Sequence, residues 1–266
     1  MLTGLDRGLY QLLNGLAGRS PLFDTLVALP LESNLVKAGV IGACFIFAWH
    51  GAGDDAAIKR RRRILIVTAL ASVMAIATTK LISTSVFLPR PYVLSQKTYL
   101  LDDGALTQAP LLPYRVPLNE RNGAEHDELK RGEIEQNDLG SFPSDHAGFY
   151  ATLAAGIALA SRGAGLVAIG WLLAVTLASR VITGQHSPLD LAGGAAIGLA
   201  ILAALQWLAS RWGSRLTEPI TAWTIRHPAL SASLAFLFVF EATNALDDVR
   251  MILDAAKTIA ALGGAA

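Results

Sequence analysis

A chain of 266 residues has room for one or two soluble domains, but 53% hydrophobic residues and a mean hydropathy of +0.45 are too apolar for that class and predict a bundle of membrane helices. The net charge of +1 supplies no basic domain to grip nucleic acid by counterion release, which excludes nucleic acid as a partner. The single cysteine, Cys44, excludes an intramolecular disulfide.

Residues 1–33 form the first segment. Leu5, Leu9, Leu12, Leu13 and Leu16 recur at helical spacing beside Asp6, Arg7 and Asn14, which suits an amphipathic helix lying at the membrane surface. A short helix packed on the protein fits the same pattern. Residues 34–247 then read as one all-α, polytopic bundle of about six membrane helices. The spans fall at 35–49, 64–86, 147–161, 165–178, 189–209 and 229–246, and an amphipathic tail follows at 248–266.

Lys59, Arg60, Arg61, Arg62 and Arg63 precede the second span, and Arg211, Arg215 and Arg226 follow the fifth. By the positive-inside rule both loops are cytoplasmic. The polar stretch 87–143 therefore lies on the outer face, where so long a loop is a functional lid or a disordered excursion. Gly193, Gly194 and Gly198 sit inside the fifth span and read as close-packing devices between helices.

Three polar clusters, 80–91, 141–146 and 179–190, border the outer ends of spans and so share one side of the membrane. Ionisable residues at that depth are costly in lipid and are candidates for function. In the third cluster Asp190 follows His186 by four positions. If Asp190 opens the fifth helix, it can accept a hydrogen bond from one ring nitrogen and leave the other as a nucleophile. A capping aspartate beside a loop histidine is the competing account.

In the second cluster Ser144 or Asp145 can cap the third span, and the free N–H groups of that helix end favour an anion such as phosphate. His146 and His186 would then face each other across one anion site, one attacking phosphorus and the other protonating the leaving group. Arg90 and Arg180 can hold phosphate oxygens by charge-assisted hydrogen bonds.

With these residues in place, the chain resembles the type 2 phosphatidic acid phosphatase (PAP2) superfamily, which shares its helical fold with vanadium haloperoxidases. That family carries the motifs K-x6-R-P, P-S-G-H and S-R-x5-H-x3-D. The third is matched at every fixed position by Ser179, Arg180, His186 and Asp190. The resemblance covers residues 35–205. It implies that His186 is the phosphorylated nucleophile, Asp190 its orienting partner and His146 the acid. It further implies Arg90, Ser144 and Arg180 as phosphate ligands, with no metal and no other cofactor.

The second motif reads Pro143-Ser144-Asp145-His146, with aspartate for the usual glycine. The Asp145 backbone N–H can still bind phosphate while its side chain turns away or bonds a basic neighbour. This variant resembles the bacterial undecaprenyl-diphosphate phosphatases of the superfamily. The first motif is stretched: Lys80 precedes Arg90 by ten positions instead of seven, and Ser83 stands where lysine is expected. Three helical residues add about 4.5 Å, within reach of a long lysine that would bind phosphate; alternatively Lys80 snorkels or pairs with a carboxylate.

The expectation is a metal-independent phosphatase at the outer face of an inner (plasma) membrane, acting on a polyprenyl diphosphate such as undecaprenyl diphosphate. The same machinery could serve phosphatidate, phosphatidylglycerol phosphate or lipid A, or pass the phosphoryl group to a lipid acceptor. From another class comes a transporter or lipid-binding protein that keeps the fold without chemistry.

Overall fold

The computed structural model describes residues 4–102, 105–133, 139–211 and 214–244. The expected tail at 248–266 lies outside these residues.

Among the described residues the six apolar stretches are largely helical, the second ending its helix at Ser83 and the sixth at Thr243. A π-helical turn, Leu35–Gly39, continues into α3 (Val40–Trp49). It is preceded by α1 (Gly4–Asn14) and α2 (Pro21–Glu32), then followed by α4 (Asp55–Ser83). The stretch 87–143 then carries α5 (Glu120–Arg131), and α6 (Asp145–Ala160) follows it. Next, α7 (Arg162–Trp171), π-helical Leu172–Leu177 and α8 (Ala178–Ile182) make one 21-residue rod. The chain ends its described part with α9 (Pro188–Arg211), α10 (Ser214–Arg226) and α11 (Pro228–Thr243).

Among the described residues α4, the rod 162–182 and α9 are long and apolar enough to cross a membrane. The pair α2 and 35–49 qualifies together but bends by 76°. The remaining apolar helices, α6 and α11, have 16 residues each, about 24 Å at 1.5 Å per residue. The result is the all-α membrane bundle expected from the sequence.

The core sits where α4, α6 and α9 meet, and glycines set its spacing. A Cβ on Gly156 of α6 would lie 2.1 Å from Thr68 of α4, and one on Gly198 of α9 would lie 2.3 Å from the Gly148 carbonyl of α6. Gly194 is placed so that a Cβ would stand 2.1 Å from the carbonyl oxygen of Ser144. This backbone contact cannot relax by rotating a side chain. Gly194→Ala is therefore expected to destabilise the protein by about 1–3 kcal/mol by overpacking and to displace Ser144. Thermal unfolding in detergent and phosphatase assay would both register the loss; an alanine variant with unaltered melting and rate would refute this packing account.

The strict up-and-down course of α4, α6, 162–182 and α9 brings Lys80, Ser144, Arg180 and Asp190 to one end of the bundle. The basic cluster occupies the other. There Arg62 is buried, its Nη1 donating to the Thr224 carbonyl at 2.7 Å and its guanidinium 5.4 Å from the Trp49 ring centre. It thus ties α10 to α4 besides adding charge.

The polar stretch 87–143 is structured where described. Its neck is closed by Arg90 N–H donating to Leu139 O at 2.9 Å and Ser141 N–H to Leu88 O at 2.8 Å. Beyond the neck, β1 (Tyr99–Asp102) and β2 (Ala105–Gln108) pair antiparallel with Tyr99 opposite Gln108. Asn119 caps α5 by accepting from Arg121 N–H at 3.0 Å. Helix α1 turns Asp6, Tyr10 and Asn14 inward and leaves Leu5, Leu9, Leu12 and Leu16 exposed. Its polar face is the one packed on the protein, while Leu5, Leu9 and Leu12 face outward and Leu13 packs against the core.

Candidate active site

Ser144 begins the site. Its Oγ accepts from Ala147 N–H at 3.3 Å, capping α6, and its own N–H donates to the Asp190 carbonyl at 3.1 Å. The same Oγ lies 3.4 Å from Nε2 of His186. The nucleophile candidate thus stands against the N-terminus of α6, where backbone N–H groups and the helix dipole favour an anion.

His186 is buried, and its Nδ1 lies 3.1 Å from the backbone carbonyl of Ser141. A carbonyl can only accept, so Nδ1 carries the hydrogen and Nε2 keeps its lone pair. Burial, followed by the nearby Arg90 and Arg180 cations, holds this imidazole well below the usual histidine range. It is neutral and competent to attack.

The Asp190 carboxylate differs from its expected use. Its Oδ2 is 3.9 Å from His186 Nδ1 but only 2.7 Å from the N–H of Ser187, whose Oγ in turn accepts from Asp190 N–H at 3.3 Å. This is a reciprocal capping box at the start of α9, with Pro188 at the first helical position. The cap wins because Ser187 and Asp190 have the three-residue spacing it needs. Ser141 takes over the task of fixing the ring, and Asp190 supplies a nearby negative charge.

The Asp145 side chain bonds a basic neighbour, one of the two courses expected for a carboxylate beside an anion site. Its Oδ1 accepts from the backbone N–H of His146 at 2.7 Å and lies 2.8 Å from the Nδ1 of the same residue. Its carboxylate is thereby committed to the ring. A carboxylate repels phosphate, yet here it raises the basicity of the His146 ring against burial and the Arg180 cation, which together hold that imidazole below the usual histidine range, and it leaves Nε2 for the substrate.

Arg90 donates from Nε to the Gly140 carbonyl at 3.1 Å and from Nη1 to the side-chain oxygen of Gln185. Gln185 in turn donates to Glu125 of α5 at 3.2 Å, and Glu125 pairs with Arg121 at 3.3 Å. Helix α5 is therefore wired to a candidate phosphate ligand. Arg180 is buried in α8, and its carbonyl accepts from the His186 N–H at 3.1 Å.

The two histidines border two cavities that meet at Arg90, rather than one shared pocket. The first, about 380 Å³, is lined by Lys80, Arg90, Asp145 and His186 among others. The second, about 510 Å³, is lined by Lys37, Arg90, Arg121, His146 and Arg180 together with Glu32, Glu125, Glu128 and Glu133. Lys80, exposed at the end of α4, thus shares a cavity with His186 despite its stretched spacing. Among the described residues no group of three or more His, Cys, Asp or Glu side chains is arranged to hold a metal ion.

The loop carrying His186 is clamped by residues the motifs do not include. Asp6 accepts from Leu189 N–H at 2.8 Å, Asn14 donates to the Ile182 carbonyl at 2.9 Å, and Tyr114 donates to the Thr183 carbonyl at 3.2 Å. Gly184 has φ +75, and a Cβ there would meet the Tyr114 ring at 2.5 Å, so the turn admits only glycine.

No curated protein and no solved structure matches the chain. The family profile described as the PAP2 superfamily matches residues 62–214, more than half of the chain and a stretch containing Lys80, Arg90, Ser144, His146, Arg180, His186 and Asp190. The clustered histidines and arginines at one end of a membrane bundle therefore belong to a member of the PAP2 superfamily, whose members are phosphatases.

Proposed function

We propose that the protein hydrolyses a polyprenyl diphosphate, such as undecaprenyl diphosphate, to the monophosphate through a phosphohistidine, using only side chains of the chain. The observation carrying this reading is the tautomer of His186: the Ser141 carbonyl holds hydrogen on Nδ1 and leaves the lone pair of Nε2 beside the α6 N-terminus. Nε2 attacks the terminal phosphorus. The bond from that phosphorus to the bridging oxygen breaks, its electron pair stays on the oxygen, and the His146 imidazolium supplies the proton. In the second half, neutral His146 takes a proton from water as the oxygen attacks phosphorus, and the P–N electron pair returns to His186.

Arg90 and Arg180 neutralise the equatorial oxygens as charge builds, the main source of catalysis in phosphoryl transfer. Lys80 reaches the same phosphoryl group from the first cavity. The basic cluster at the opposite end of α4 favours an inner (plasma) membrane orientation with the site on the outer face.

A panel of substrates tests the reading. Purified protein in detergent containing a chelator should release phosphate from a polyprenyl diphosphate faster than from phosphatidate, phosphatidylglycerol phosphate or a lipid A phosphate. Preference for one of the latter would replace the substrate, transfer to a lipid alcohol would make the protein a phosphotransferase, and binding without turnover would leave a lipid-binding protein or transporter.

A further inference from the structure

We propose that Gln185, the residue before the nucleophile, is a positioning residue for Arg90: its neutral amide passes the hold of helix α5 to the arginine while leaving the arginine's charge for a phosphoryl group. The inference rests on the reading of Arg90 as a phosphate ligand. Gln185 falls among the five open positions of the third motif, so the motif gives it no task.

The loop presents Gln185 with little freedom. Gly184 turns the chain at φ +75, and the His186 N–H closes the turn on the Arg180 carbonyl at 3.1 Å. The Gly184 carbonyl accepts from the Tyr92 N–H at 3.1 Å, which ties the segment carrying Arg90 to the segment carrying Gln185. Gln185 is 8% exposed, so both ends of its amide need partners.

The amide oxygen accepts from Arg90 Nη1, and Nε2 donates to Glu125 Oε2 at 3.2 Å. A carboxylate can only accept, so Glu125 takes the NH2 end and turns the oxygen toward the guanidinium. Glu125 is itself held by Arg121, four residues earlier on α5, at 3.3 Å. Arg90 also donates from Nε to the Gly140 carbonyl at 3.1 Å. Two N–H groups of the guanidinium thus meet neutral oxygens, which fixes the plane of the fork.

The need for an amide follows from charge. A carboxylate at position 185 would hold Arg90 but compete with phosphate for it, and an apolar side chain would let the guanidinium swing. Phosphoryl transfer is catalysed mainly by charge held in place. The amide keeps Glu125 one side chain away from Arg90 and still transmits its grip.

The test is a double-mutant cycle on the full-length protein in detergent, with p-nitrophenyl phosphate as substrate. Gln185→Leu should lower kcat/KM about tenfold, the loss of one charge-assisted hydrogen bond. In an Arg90→Ala background the same change should cost less than about twofold, because its effect passes through the guanidinium. A loss under about threefold in the first case, or a repeat of the full loss in the second, overturns the inference; the repeat would mean that Gln185 only supports the His186 loop. Gln185→Glu, which keeps the shape, should raise KM and weaken inhibition by inorganic phosphate about tenfold, and unchanged values would remove the charge argument. Glu125→Ala, which frees the amide to turn, should reproduce part of the Gln185→Leu loss and add nothing to it in the double variant.

Stabilisation against thermal unfolding by inorganic phosphate gives the same cycle without turnover. If Arg90→Ala keeps wild-type activity and wild-type phosphate stabilisation, the reading of Arg90 as a ligand fails and the inference falls with it. If Arg90→Ala is impaired and the Gln185→Leu loss adds to it in full, the ligand reading stands and only the inference falls.

Discussion

Replacing His186 with alanine is expected to lower phosphate release by roughly 10⁴-fold or more, the scale on which loss of a covalent nucleophile is felt. The size follows from the arrangement around the ring. Ser141 fixes the tautomer, and Ser144 and the α6 N-terminus sit beside Nε2. Wild-type protein quenched in acid-free conditions during turnover of phosphorus-labelled substrate should carry label on histidine, and His186→Ala should carry none. Label that persists in the variant, or activity within tenfold of wild type, would remove His186 from the mechanism. The pH profile gives an independent reading. Burial and the two arginine cations hold the imidazole below its ordinary value near 6.5, so the nucleophile stays unprotonated as pH falls through 6.5. The acid limb of kcat/KM belonging to His186 should therefore lie below that pH.

Much of this site was legible because membrane helices leave strong marks. Lys80, Ser144, Arg180 and Asp190 each border a long apolar run, and alternating spans necessarily bring such borders to one end. Gly194 and Gly198 read as packing devices for the same reason: small residues inside an apolar span have few other uses. What escaped the sequence is mostly what a residue letter does not encode. The partner of His186 Nδ1 is a backbone carbonyl, which any residue at 141 would offer. Asp190 at four positions from His186 predicted an orienting carboxylate, but Ser187 at three positions competes for it and captures it as a helix cap.

The N-terminal helix shows a different limit. Leucine spacing reveals that α1 has two faces, yet in a membrane protein the apolar face can point outward, so the pattern alone does not say which face meets the protein. The contacts of Asp6 and Asn14 decide it. Within the stretch 87–143 the polar composition conceals a hairpin and a helix whose Glu125 reaches Arg90 through Gln185.

His146 is expected to separate the two halves of the reaction by leaving group. With a lipid substrate the departing oxygen needs a proton, and His146→Ala should slow release by about 10²–10⁴-fold, the usual contribution of a positioned acid. With p-nitrophenyl phosphate the phenolate departs unaided, so the first half should proceed in the variant. The second half still needs a base to activate water, and His146 is also that base. The variant should therefore show a burst of nitrophenol followed by accumulated phosphohistidine on His186. Asp145→Gly, which restores the residue usual in the family motif, removes the carboxylate 2.8 Å from His146 Nδ1 and should reproduce the same pattern at about a tenth of the magnitude, since the imidazole remains but loses its charged partner. Equal slowing of both substrates in His146→Ala, with no burst, would mean that His146 binds phosphate and does not move protons. In that event Asp145, committed to the ring, would serve to position a ligand instead of sustaining an acid.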